Sequence, residues 1–141
     1  NKTLIIVNNT TATSPDGTIA VLRRFDQQNK TILITGGTDK NLEYKDWAEA
    51  VGKYIKPENL YLLNGSATKK MVLSLKRNKY FLKPIRLFES LFDIINVVKE
   101  EIKNEKHAVI LFSPSAASFE KFKNEFDRGD KFNLYVSKLI K

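Results

Sequence analysis

The sequence predicts an α/β domain whose mostly parallel sheet of about six strands is flanked by helices. Two observations lead to this prediction. Short, continuous apolar runs recur along the chain, as is typical of parallel strands buried on both faces. Amphipathic segments with helical spacing separate these runs, so that strands and helices alternate. Such alternation is typical of a Rossmann-like, three-layer arrangement, and we expect the 141 residues to form one domain over 1–141.

The first half of the chain contains two predicted strands, each followed by a predicted helix. Residues 3–7 are an apolar run that predicts a buried strand, and residues 18–25 then carry helical spacing. Residues 30–35 form the second strand, which ends at a pair of glycines. The next predicted helix has a buried face formed by Trp47, Val51, Tyr54 and Ile55. This half therefore consists of two strand–helix units.

The second half continues the alternation with three more strands. The apolar runs 60–63, 85–88 and 108–112 are predicted strands, and helices are predicted over 67–75 and 90–103. After the last strand, two helical stretches are expected to close the chain. Connections through helices favour a parallel sheet that is covered on both faces.

Three loops form the candidate site, because ligands of open parallel sheets bind at the carboxyl ends of the strands. They follow Val7, Thr35 and Phe112. The first loop, residues 8–16, holds two carboxamides and four hydroxyls, which can hydrogen-bond ribose, phosphate or carboxylate oxygens. An ordinary capped turn is an equal alternative, since Pro15 is a typical first residue of a helix.

The second loop, residues 36–41, begins with two glycines and contains Lys40. Glycines allow a sharp turn and a close approach of the backbone to a ligand. A lysine ammonium suits a carboxylate or a phosphate. A plain turn beside a surface lysine explains the same residues, and on this pattern alone it is the favoured interpretation.

The third loop runs from Ser113 through small residues to Ser118, where we expect a helix to begin. Backbone N–H groups at the N-terminus of a helix are open to an anionic ligand. The simpler interpretation is that the Ser118 hydroxyl caps this helix. Further along, Gly129 follows a cluster of charges and is interpreted as a turn residue.

The composition excludes several classes of function. Zero cysteines exclude disulfides and thiol chemistry and suit a reducing cytosol. No apolar run approaches the roughly 20 residues of a membrane helix, and residues 1–15 lack a signal peptide. We therefore expect a cytoplasmic protein with no membrane partner. The net charge of +8 comes from lysines that are scattered and alternate with glutamates, so no nucleic-acid partner is expected.

The three loops also carry motifs of a known family. The segment from Ser113 follows the pattern Ser-Pro-x-x-Ala-Ser-x-x-x-Phe-Lys-Asn and then Arg-Gly-x-x-Phe. The first loop is close to Asn-Asp-Ser/Thr-x-Ala-Thr, and the second matches Gly-Gly-x-x-Lys. In this order, over about residues 4–139, the chain resembles the C-terminal domain of the D-glutamate-adding Mur ligases. The residues matched in the third motif are Ser113, Pro114, Ala117, Ser118, Phe122, Lys123, Asn124, Arg128, Gly129 and Phe132.

The resemblance implies a binding site for D-glutamate. By similarity, the side chains of Lys40, Thr13 and Ser118 bind D-glutamate. Backbone groups of Phe119 and Glu125 assist them.

A weaker nucleotide contact is implied in the first loop, where Asn9 and Thr11 are placed beside ATP. The resemblance implies no catalytic residue and no metal ligand within the chain. Two positions depart from the family pattern. Asn9 stands where the family has an aspartate, and Glu125-Phe126 inverts the usual Phe-Glu order.

The resemblance also implies a reaction. Mur ligases of this type use ATP and Mg²⁺ to phosphorylate the carboxylate of UDP-N-acetylmuramoyl-L-alanine, and the amine of D-glutamate then attacks the acyl phosphate. In the family an N-terminal domain binds the UDP group and a central domain binds ATP, and the chain contains neither. We therefore expect a chain that binds D-glutamate, closes over ATP and is inactive alone, within a monomeric cytoplasmic ligase of peptidoglycan-precursor synthesis.

Three alternatives stay open at this point. The chain could be the C-terminal domain of another Mur-type amino-acid ligase, or a Rossmann-like anion-binding module unrelated to cell-wall synthesis. A basic nucleic-acid-binding domain is the third, and the lack of a basic stripe argues against it. The Arg-Gly-x-x-Phe ending favours the D-glutamate ligase.

Overall fold

A single parallel sheet forms the centre of the computed structural model, which describes residues 2–25, 30–78 and 84–140. Within these residues the sheet has five strands in the order β1-β5-β2-β3-β4, and all neighbouring strands are parallel. The predicted α/β class is confirmed, and the strand count is close to the expected six. The strands are β1 Thr3–Asn8, β2 Lys30–Thr35, β3 Leu60–Leu63, β4 Leu87–Phe88 and β5 His107–Phe112.

Helices cover the sheet on both faces. Local signals set where several of them begin: Pro15 is the first residue of α1, and the Ser90 hydroxyl caps α4 by accepting from the Asp93 N–H at 3.0 Å. None of the helices in the described residues is long and apolar enough to cross a membrane. The helices are α1 Pro15–Leu22, α2 Lys45–Tyr54, α3 Thr68–Arg77, α4 Leu91–Glu101 and α5 Glu125–Leu139, and a 3₁₀ turn at Pro57–Asn59 precedes β3.

The sheet separates two apolar cores. Helices α1, α2 and α3 pack on one face, and α4 and α5 pack on the other. Strand residues alternate between the faces, so that Leu33 of β2 joins the first core while Ile32 and Ile34 join the second. In the second core the rings of Phe112 and Phe132 stack with centroids 4.5 Å apart. This two-sided burial explains why the strand sequences are continuously apolar.

The first strand is less buried than predicted. It lies at the edge of the sheet beside β5, and the side chains of Ile5 and Ile6 are 45% and 37% exposed. The expectation of a buried strand over 3–7 was therefore wrong in burial, although right in the existence of the strand. The reason is the order of the strands, which places β5 and not β1 next to β2.

The segment after β5 also differs from the prediction. No helix begins at Ser118: residues 118–122 form one turn, and the helix begins only at Glu125, capped by the Asn124 side chain, which accepts from the Asp127 N–H at 2.8 Å. A single helix, α5, closes the chain where two helical stretches were expected. Gly129 lies inside α5 and is buried, so its interpretation as a turn residue was wrong.

Candidate functional site

The strand order brings the three candidate loops together. Because β5 lies between β1 and β2, the loop after β5 runs between the other two at the carboxyl edge of the sheet. The connections from β2 and β5 then leave toward opposite faces, since α2 packs in the first core and α5 in the second. Such a switch point is where open α/β sheets bind ligands.

Backbone hydrogen bonds join the third loop to both neighbours. The Gly36 N–H donates to the Pro114 carbonyl at 2.9 Å, and the Ser115 N–H donates to the Ala12 carbonyl at 2.9 Å. One step further, Thr38 and Ala117 exchange two bonds of 2.9 and 3.0 Å in a short antiparallel bridge. These hydrogen bonds join the three loops into one continuous surface at the carboxyl edge of the sheet, which we call the wall.

Lys40 and Thr13 meet across this wall. The Lys40 Nζ donates to the Thr13 Oγ1 at 3.4 Å, although the two residues lie on loops from different strands. Lys40 is exposed and forms no ion pair within the part of the chain that the structure describes. Its neighbour Asp39 is paired with Lys70 instead, at 2.9 Å, and this hydrogen bond lowers the pKa of the Asp39 carboxyl. Within the described residues, Lys40 is therefore left without a carboxylate partner.

Ser118 lies on the third loop and lines a small cavity together with Gly36, Gly37 and Thr38. The residue is 4% exposed, and its carbonyl accepts from the N–H groups of Lys121 and Phe122 at 3.3 and 3.0 Å. Its hydroxyl has no hydrogen-bond partner among residues 2–25, 30–78 and 84–140. The interpretation of Ser118 as a helix cap was therefore wrong, because the turn at 118–122 does not continue as a helix.

The two residues expected to assist through their backbone lie at opposite ends of the segment between Ser118 and α5. Phe119 is 69% exposed and extends from the turn. Glu125 is the first residue of α5, and its carbonyl accepts from the Thr10 hydroxyl at 2.7 Å. This contact involves the backbone of Glu125 and not its side chain. In the inverted Glu125-Phe126 pair, the Phe126 ring is exposed to solvent.

The two residues expected near a nucleotide, Asn9 and Thr11, differ in their contacts and exposure. The Asn9 side-chain amide donates to the Ser113 Oγ at 3.0 Å and thereby ties the first loop to the third. Thr11 is exposed, and its carbonyl accepts from the Thr13 N–H at 2.9 Å. The structure thus places Asn9 within the wall and Thr11 on its outer surface.

Three known proteins that are similar to this chain carry the same name. No family model matches the chain. A UDP-N-acetylmuramoylalanine–D-glutamate ligase of Prochlorococcus marinus (strain MIT 9312) is 34% identical over 141 residues, covering 100% of the chain and 29% of that protein. The enzyme of the same name from Treponema pallidum (strain Nichols) is 39% identical over 130 residues, covering 92% of the chain and 23% of that protein. That of Borreliella afzelii (strain PKo) is 34% identical, covering 98% and 29%.

The chain is a homologue of the C-terminal region of these ligases. It spans 23–29% of the length of these three relatives. The resemblance found in the three motifs is thereby confirmed over nearly the whole chain.

A buried network of hydroxyl groups beneath the three loops was not predicted from the sequence. Ser115 has a backbone φ of 64°, in the left-handed region, and its hydroxyl accepts from the Trp47 Nε1 at 2.9 Å. The same hydroxyl lies 3.0 Å from Thr35 Oγ1 and 2.6 Å from Thr18 Oγ1. The Tyr44 hydroxyl donates to the Ser115 carbonyl, and burial raises the pKa of Tyr44 to about 12. Hydroxyls at the ends of buried strands were the only signal of this network in the sequence.

Arg128 is a further residue of this region to which the sequence assigned no role in the site. It is 1% exposed, and its guanidinium donates from Nε to Thr10 Oγ1 at 3.0 Å, from one terminal nitrogen to the Thr10 carbonyl at 2.7 Å, and from the other to the Ala116 carbonyl at 2.9 Å. Burial lowers the pKa of Arg128 to about 10. A side chain from α5 thus holds the first and third loops of this ligase homologue together.

Glu120 joins the turn after Ser118 to the start of α3. Its Oε1 accepts from the Ser66 N–H at 2.9 Å and from the Ser66 hydroxyl at 3.1 Å, and its own N–H donates to Thr38 Oγ1 at 3.1 Å. The Ser66 backbone hydrogen bond is the main cause of the lowered pKa of the Glu120 carboxyl. The ionised form of Glu120 is therefore the one that links the third loop to the segment before α3, while its backbone N–H bonds the second loop.

Replacing Glu120 with glutamine is expected to make the melting temperature less sensitive to acid. The folded-state pKa of Glu120 lies below its ordinary value of 4.5, so its stabilising effect is present above that pH and is lost as the pH falls through the lower folded value. Because the side chain is exposed, the effect should stay within about 1 kcal/mol. Thermal unfolding of both proteins between pH 7 and pH 3 measures it, and Glu49→Gln, a change of an exposed glutamate on α2, is the matched control. Equal acid sensitivity of Glu120→Gln and wild type would contradict the linkage.

Proposed function

We propose that this chain presents D-glutamate to the reacting carboxylate in a ligase that extends the peptidoglycan precursor. The observation that supports it best is the contact between Lys40 Nζ and Thr13 Oγ1 at 3.4 Å, with the uncommitted Ser118 hydroxyl on the intervening loop. One cation and two hydroxyls on a rigid wall suit a small dicarboxylic amino acid. The names of the related ligases supply the identity of that amino acid.

In this proposal the residues bind and orient the substrate, and none of them transfers a proton. Lys40 and Thr13 hold one carboxylate of D-glutamate. The Ser118 hydroxyl holds the other, with the backbone groups of Phe119 and Glu125 beside it. Fixing the amine near an activated carboxylate replaces a bimolecular encounter, and such positioning alone accelerates a reaction greatly.

ATP and Mg²⁺ are proposed to bind mainly outside this chain. Its sequence has no Gly-x-x-x-x-Gly-Lys-Ser/Thr loop for the phosphates. Within the described part of the chain, no group of three or more His, Asp or Glu side chains could hold a metal ion. These residues alone therefore do not fit a magnesium–nucleotide site, and Asn9 and Thr11 are proposed only as edge contacts to the nucleotide. The absence of cysteine suits a reducing cytosol, and we propose a monomeric, cytoplasmic enzyme.

A comparison of the complete protein with the chain tests the function. We expect the complete protein that contains this chain to join D-glutamate to UDP-N-acetylmuramoyl-L-alanine in the presence of ATP and Mg²⁺. The 141-residue chain alone should form no product and should still bind D-glutamate. Mass spectrometry of the product and NMR titration of the ¹⁵N-labelled chain are the measurements. Preference of the complete protein for another amino acid would refute the substrate, and product formation by the chain alone would refute its passive role.

A further inference from the structure

Arg128 carries a buried positive charge that the Glu125 carboxylate offsets only in part, since burial still lowers the pKa of Arg128 to about 10. Its three hydrogen bonds go to one hydroxyl and two carbonyls, all of them neutral. Within residues 2–25, 30–78 and 84–140 it forms no ion pair. Removing a charge from water without a counter-charge is costly, because neutral acceptors replace only part of its hydration. A structural tie between two loops does not by itself require such a charge.

Arg128 lies near Ser118, the residue proposed to hold a carboxylate. Arg128 and Ser118 line the same small cavity, together with Gly36 and Gly37, and this cavity has a volume of about 10 Å³. That is room for roughly one water molecule, so a ligand cannot enter it. A guanidinium has five N–H donors, and the three hydrogen bonds found within the described residues leave two of them unused.

We propose that Arg128 makes this site selective for a ligand with a negative charge beside Ser118. The inference rests on the proposed function and adds a specificity-determining residue to it. The carboxylate of the ligand would add a counter-charge to that of Glu125, and a neutral amide in its place would add none. Arg128 and Ser118 are 1% and 4% exposed, and in such a water-poor environment the attraction between charges is stronger than in bulk water.

The test compares two ligands that differ only in the charge of the side chain. D-glutamate and D-glutamine are titrated by NMR into the ¹⁵N-labelled chain, as wild type and as Arg128→Met and Arg128→Lys. We expect Arg128→Met to reduce the preference for D-glutamate over D-glutamine by roughly tenfold or more, and Arg128→Lys to keep most of it. A role in holding the loops alone would weaken both ligands equally and leave the preference unchanged, and that result would overturn the inference.

Two further measurements keep the outcomes apart. Thr10→Ala removes the hydroxyl that bonds Arg128 but keeps the charge, so it should weaken binding while the preference for D-glutamate persists. This variant serves as the test if Arg128→Met does not fold, and loss of the preference in Thr10→Ala would count against the charge. If the wild-type chain binds neither ligand, the proposed function fails and this inference fails with it. If wild type prefers D-glutamate and Arg128→Met retains the preference, only the inference fails.

Discussion

Replacing Gly36 with alanine is expected to destabilise the fold by more than about 3 kcal/mol. Gly36 has a φ of 110°, a conformation that residues with a Cβ rarely adopt. A Cβ at this position would also clash with the carbonyl oxygen of Leu63 and lie 3.0 Å from the Leu63 nitrogen. Both atoms belong to the backbone of the interior strand β3, which cannot move aside without losing its pairing with β2. The strain therefore has no inexpensive relief.

The same substitution should also open the candidate site. The Gly36 N–H donates to the Pro114 carbonyl at 2.9 Å, so a displaced Gly36 releases the third loop from the second. Urea unfolding monitored by the fluorescence of Trp47 measures the free energy of unfolding. Gly52→Ala is the matched control, because Gly52 lies within α2, where alanine is the better helix former, and we expect a change of only about 0.5–1 kcal/mol in favour of folding. Equal stability of Gly36→Ala and wild type would disprove the role of this backbone conformation.

Local patterns in the sequence predicted the elements well and their arrangement less well. Continuous apolar runs identified all five strands of the described residues, because parallel strands covered on both faces need such runs. The exposure of Ile5 and Ile6 was not predictable in this way. It depends on β5 inserting between β1 and β2, which is a long-range choice that no local period records.

The candidate site was likewise predictable only where local motifs identify its residues. Thr13, Lys40 and Ser118 were identified because each follows a strand and matches a motif, and the structure brings Thr13 and Lys40 into contact. Arg128 and Ser115 gained no role from the sequence, since their partners lie far away along the chain. Arg128 reaches back 118 positions to Thr10. Buried polar groups take their meaning from such distant partners.

The loss of Lys40 is expected to raise the Michaelis constant for D-glutamate by roughly ten- to a hundredfold, the value of one hydrogen bond to a charged group. Lys40 is exposed, and among the residues that the structure describes its side chain hydrogen-bonds only Thr13, at 3.4 Å, so Lys40→Ala should leave the fold intact. The kinetics of the complete protein, measured with D-glutamate as the varied substrate, test this expectation.

The pattern of the kinetic change distinguishes substrate binding from a general effect of charge. If Lys40 holds a carboxylate of D-glutamate equally in the ground state and in the transition state, the Michaelis constant rises while kcat stays near the wild-type value. Lys45→Ala removes an exposed lysine at the start of α2 and should change neither parameter. Lys40→Arg keeps the charge and should recover part of the affinity, because a guanidinium also binds carboxylates but with a different geometry. An unchanged Michaelis constant in Lys40→Ala would show that Lys40 does not bind D-glutamate. The proposed site would then consist of Thr13 and Ser118 without the Lys40 charge.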